Sequence, residues 1–116
     1  MIPTLLVIVE SDPRTTPRTA EAIRMAAGIG TWKKVRVSLY LRGPAVLALS
    51  EYPDELIDED NFTRYLPILS ELGRPIYVQA EAALLSELGE PSAPFEEIED
   101  NTLARMAADS TYVLRF

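Results

Sequence analysis

Thr4-Leu5-Leu6-Val7-Ile8-Val9-Glu10 (TLLVIVE, residues 4–10) holds nothing but leucine, isoleucine and valine between its first and last members. A strand with one wet face alternates polar and apolar residues, whereas a run without alternation is what a strand buried on both faces requires. Such a strand belongs in the middle of a parallel sheet covered by helices, so this heptapeptide sets the expected fold class. The loop SDPRTTP (residues 11–17) follows, punctuated by Pro13 and Pro17. A helix is then expected from about Pro17 to Gly30, with Thr16 as N-cap and Pro17 at the first position, where a missing N–H costs least. Ala20, Ile23, Met25, Ala26 and Ala27 give it a small-residue apolar face, and Gly28 and Gly30 end it.

The remaining elements repeat this rhythm. KVRVSLYL (residues 34–41) alternates Val35, Val37, Leu39 and Leu41 against Arg36, Ser38 and Tyr40, the pattern of a second strand. Gly43-Pro44 turns the chain into AVLALS (45–50), long enough for a short helix. EYPDELIDED (51–60) carries six acids and no base and reads as an exposed loop. Phe62, Tyr65, Leu66, Leu69 and Leu72 lie at helical spacing, with Pro67 inside the segment as a kink or a later start. PIYV (75–78) reads as a third strand, Ala80–Leu88 as a helix stopped by Gly89, Phe95–Ile98 as a short fourth strand, Asn101–Ala108 as the last helix and Thr111–Phe116 as the last strand. Strands alternating with helices at this spacing predict a three-layer α/β/α arrangement around a mostly parallel sheet of about five strands. No linker, repeat or low-complexity tract divides residues 1–116, so one domain is expected.

Composition narrows the chemistry. The chain has 116 residues with 47% hydrophobic, enough for a core without staples. There is no cysteine and no histidine, which removes thiolate nucleophiles, persulfides, iron–sulfur ligands, and the commonest neutral-pH base and metal ligand. A net charge of −7 argues against a nucleic-acid partner. No apolar run approaches the ~18 residues of a membrane span, and the first apolar stretch lacks a basic leader, so a cytoplasmic protein without membrane association is expected.

Open parallel sheets bind ligands beyond the carboxyl ends of their strands. The loop after Glu10 brings Ser11, Arg14, Arg18 and three threonines to a helix N-terminus, a candidate site for a small anion. It lacks the glycines of a phosphate loop. A receiver-like acidic site is excluded, because the third strand ends in Gln79 and the only lysines are Lys33 and Lys34. The hydroxyls of Thr15, Thr16 and Thr19 partly suit a flavin phosphate, but Pro13 and Pro17 remove backbone donors such a loop uses, so no cofactor is expected. The acid clusters 51–60 and 96–100 have no calcium-loop spacing and read as solvated surface, and no metal site is expected. Trp32, next to Lys33 and Lys34, is expected to pack between helix and strand, with contact to a partner as the alternative.

The chain resembles the DsrE/DsrF-like family, the DsrEFH and TusBCD type of small sulfur-relay subunit, over nearly its whole length. The likeness rests on YLRGPAV (40–46) after the second strand, PIYVQAEAAL (75–84) around the third, and the ending ADSTYVLRF (108–116). Sulfur-carrying members of that family bear a cysteine at the end of the third strand, beside a helix N-terminus that stabilises a thiolate. Here Gln79 stands at that position. The resemblance therefore implies a DsrE-like domain that cannot carry persulfide itself, and the balance is against an enzyme. It also implies association with itself or with a cysteine-bearing homologue, with Tyr40, Arg42 and Asp58 as interface or pocket-rim residues. The alternative is a binder or enzyme holding a small anion at the strand ends, with Ser11, Arg14, Arg18 and Gln79 around it.

Overall fold

A computed structural model describes residues 2–73 and 75–116. Five parallel strands form one sheet in the order β4-β3-β2-β1-β5. β1 (Thr4–Val9) lies between β2 (Arg36–Leu41) and β5 (Tyr112–Arg115), and both its faces are buried from Leu5 to Val9. The unbroken apolar run is thus explained by position: side chains alternate between two covers, and neither is water. β3 (Ile76–Gln79) and β4 (Phe95–Ile98) extend the sheet beyond β2.

Chain order decides which face each helix covers. From β1 to β4 the chain steps steadily toward one edge, which keeps α1 (Arg18–Thr31) and α2 (Glu59–Glu71) on one face. There Leu5, Val7, Val9, Val37, Leu39, Leu41, Ile76 and Val78 join Ala22, Ile23, Ala26, Phe62, Leu66 and Leu69 in the larger core. α3 (Asp100–Asp109) then returns across the opposite face to place β5 beside β1. It covers Leu6, Ile8, Tyr40 and Ile98 with Leu103, Met106 and Ala107. Gly30 lets α1 approach α2 closely, since a Cβ there would overlap Leu72 Cδ1.

Several expectations shift. The second strand begins at Arg36 rather than Lys34, because residues 32–35 form the turn out of α1. The residues after Gly43 wind as a 3-10 helix (Gly43–Leu49) instead of a short α-helix, with five buried side chains. The acidic segment 51–60 holds a 3-10 turn at Pro53–Glu55 and the first turn of α2. Pro67 lies inside α2 on its exposed side, and the carbonyl it leaves without a helical donor belongs to Thr63, also an exposed residue. The helix expected over Ala80–Leu88 is a 3-10 helix at Ala83–Glu87, because Glu81 takes a left-handed conformation (φ +60°) that an α-helix cannot contain. Trp32 does not pack between helix and strand: it caps α1 and is 63% exposed. No helix among the described residues is long and apolar enough to cross a membrane.

Candidate functional site

The carboxyl ends of the strands meet along one edge of the sheet, and their backbone groups bind one another there. Glu10 N–H donates to Phe116 C=O (2.8 Å), Arg42 N–H to Val9 C=O (3.0 Å), and Ala80 N–H to Ile98 C=O (2.9 Å). Four elements therefore present their ends in fixed register: Glu10, Arg42, Gln79 and the Glu99-Asp100 start of α3.

Gln79 bridges two of them. Its Oε1 accepts from Gly43 N–H at 3.0 Å, which ties the end of β3 to the turn leaving β2. That turn places Gly43 at φ +55°, a conformation costing a side-chain-bearing residue roughly 1 kcal/mol. The first three N–H groups following Gln79 are engaged: Ala80 as above, Glu81 to Glu97 Oε1 (3.0 Å) and Ala82 to Gln79 C=O (3.3 Å). Free N–H groups at a helix start favour negative charge on a side chain placed beside them. Here the third strand runs into a closed turn, and the five-residue 3-10 helix begins only at Ala83.

Arg42 lies between two carboxylates, with Nη1 3.9 Å from Glu10 Oε1 and Nη2 3.9 Å from Asp100 Oδ1. Glu10 is half exposed and Asp100 more so, and pairs this long and wet contribute about 0–1 kcal/mol each. Below them Tyr40 is completely buried. Its hydroxyl has no hydrogen-bond partner among the described residues. Burial raises the phenol above its ordinary pKa; Arg42 opposes the rise and Asp100 and Glu10 add to it. Beside Gln79 opens a hollow of about 370 Å³ whose rim includes Glu81, Glu99, Asp100 and Asn101. This rim offers hydrogen-bond acceptors and negative charge. Its lining carries carboxylates and amides, and no hydroxyl or basic side chain.

The other expected site residues are dispersed. Ser11 Oγ pairs with Thr19 Oγ1 at 2.9 Å, and that threonine, buried in α1, also donates to Ser11 C=O. Arg14 folds back on Asp12, with Nε to Oδ1 and Nη2 to Oδ2 both at 3.0 Å, and this hydrogen bonding holds the Asp12 carboxyl below its usual range. Asp12 C=O accepts from Thr15 and Thr16 N–H, so the loop satisfies itself. Arg18 stacks over the Phe116 ring at 5.9 Å. Arg14 and Gln79 border different hollows. Of the three residues expected at a rim or interface, Arg42 is at the strand ends. Asp58 is exposed at the N-cap of α2 in a left-handed conformation (φ +57°). Tyr40 is not at a rim, because α3 covers it.

Sequence reading did not single out Asp100 as a neighbour of Glu10 and Arg42. The available signal was the final crossover: a helix leading to a strand beside β1 has to start at this edge. No group of three or more acidic side chains among the described residues is arranged to hold a metal ion.

Comparison with known proteins separates fold from family. No family model matches the chain, and no curated protein matches its sequence. Among solved structures, the crystal structure of the ychN protein from E. coli superposes with a TM-score of 0.80, covering 98% of this chain and 99% of the other at 16% identity. The five-stranded parallel sheet with its helices is thus a DsrE-like fold. At this identity the likeness concerns the fold alone.

Proposed function

We propose that this protein is a non-catalytic DsrE-like module, a single cytoplasmic domain that acts by associating with itself or with a cysteine-bearing relative. One observation carries the reading. Gln79 stands where relay subunits bear the sulfur, and its side-chain oxygen accepts from Gly43 N–H in a turn whose next three N–H groups are engaged. A glutamine amide is neither a nucleophile nor a base, and the chain has no cysteine or histidine to replace it. A domain that retains the fold without its reactive group keeps surfaces, not turnover. Native mass spectrometry of the protein isolated from its own host tests this. A complex of several copies, or one with a cysteine-bearing relative, is the expected result. A bare monomer, or turnover of a substrate by the isolated chain, overturns it.

A further inference from the structure

Two exposed segments at opposite ends of the sheet carry opposite charge, and each bears an exposed aromatic, although Arg14, paired with Asp12, also borders the acidic one. At the amino end of β2, Trp32-Lys33-Lys34-Val35-Arg36 contains three bases and no acid. Trp32 is 63% exposed and Ile2 beside this end is 52% exposed. Lys34 Nζ stands 5.8 Å from the centre of the indole. Lys33, Lys34 and Arg36 are exposed and form no ion pair among the described residues. Lys33 and Arg36 rim a hollow of about 490 Å³ with an apolar floor that includes Val35 and Leu72; Glu71 is the one acid on it.

At the opposite end, residues 51–60 contain six acids and no base, and all six are exposed. Tyr52 projects from this segment at 75% exposure. Asp54, Asp58, Glu59 and Asp60 surround a second hollow of about 410 Å³.

We propose that the basic, Trp32-bearing end docks onto the acidic, Tyr52-bearing end of a second copy of this chain, head to tail. The proposal rests on the reading above that the chain assembles with itself, and adds which surfaces meet. The charge argument selects the pairing. Molecules of net charge −7 repel unless opposed patches face each other. Either end placed against its own copy sets like charges together, so a two-fold contact through these ends is disfavoured. A lysine-flanked indole and an acid-flanked phenol meet as complements, and exposed Trp and Tyr are the side chains that most often anchor interfaces. A contact of standard size covers about 800 Å² per partner, roughly an eighth of the 6550 Å² surface of the chain. Head-to-tail contacts of this kind build closed rings or open strings.

The test uses the full chain and its single tryptophan, whose emission reports burial of the docking end. Sedimentation velocity across a concentration series is expected to show species larger than a monomer, with blue-shifted emission, dissociating as salt rises to about 0.5 M. The double reversals Lys33→Glu/Lys34→Glu and Asp54→Lys/Glu55→Lys each change exposed residues, and each is expected to weaken assembly at least tenfold. Mixed in equal amounts, the two variants are expected to assemble again, because each reversed end then meets the other. Circular dichroism matching the wild type separates lost contact from lost folding. Assembly unaffected by both reversals overturns the head-to-tail pairing and leaves association through another surface standing. Complexes formed only with a cysteine-bearing relative have the same consequence. A chain that stays monomeric throughout, alone and in its host, overturns both.

Discussion

Tyr40 and Gln79 are opposite cases: the buried Tyr40 hydroxyl lacks a hydrogen-bond partner among the described residues, and the Gln79 side-chain oxygen has one. A buried hydroxyl without a partner costs roughly 1–3 kcal/mol relative to one that is paired, so Tyr40→Phe removes an unsatisfied group while keeping the ring that fills the core under α3. Urea unfolding of that variant is expected to show stability unchanged or raised by about 1 kcal/mol. The raised phenol pKa gives the pH dependence: the native state holds its proton more tightly than the unfolded chain. That contribution is complete below the ordinary tyrosine pKa and is lost as pH rises through the folded value. Tyr40→Phe is therefore expected to unfold at higher alkaline pH than the wild type. Gln79 is the opposite case. Gln79→Ala strips the acceptor from Gly43 N–H and is expected to cost about 0.5–1.5 kcal/mol, whereas Gln79→Glu retains an acceptor and most of the stability. Equal loss in both variants would show that the bond is not what Gln79 contributes.

Helices and strands here owe their boundaries to different causes. α1 ends where its small-residue face runs out at Gly30, against Leu72. α2 continues through Pro67 because the proline points to water and the helix is held by Phe62, Leu66 and Leu69 on its other side. An interior proline costs a helix about 3 kcal/mol, of which the stiffer unfolded chain returns a part. Pro67→Ala is accordingly expected to stabilise the protein by about 1–2 kcal/mol, read as a higher urea midpoint at constant slope. A loss of stability would mean that the proline shapes α2 against α1. α3 stands apart: Leu103 is its one buried residue, and among the described residues it is the one helix over the second face of the sheet.

The assembled molecule has two free sheet edges, β4 and β5. β4 carries Glu96 and Glu97 on a strand of four residues, and charges on a short edge strand discourage pairing with another chain. The Glu96 side chain makes no hydrogen bond or ion pair among the described residues, so Glu96→Val is expected to leave folding intact and promote aggregation. Static light scattering at increasing concentration checks this; unchanged scattering would assign the protection to the edge's shortness. The same molecule sets the three bases of residues 33–36 at one end of the sheet and the six acids of residues 51–60 at the other, a polarity that no single element possesses.

Local composition was enough for the strand order in time, though not in space. Five apolar residues bounded by Thr4 and Glu10, alternation before Leu41, and glycine and proline punctuation located all five strands within two residues, because burial on one or two faces imprints a period on the chain. The absence of cysteine and histidine restricted the chemistry in the same direct way. Sequence spacing did not reveal that Arg14 turns back to Asp12, that Arg42 joins Glu10 and Asp100, that Trp32 is exposed, or that the chain after Gln79 closes instead of opening a helix. Those outcomes depend on which side chains the final crossover brings to one edge and on where each backbone donor finds its acceptor. Both are set by contacts between residues distant in the chain, and a period along the sequence carries no record of them.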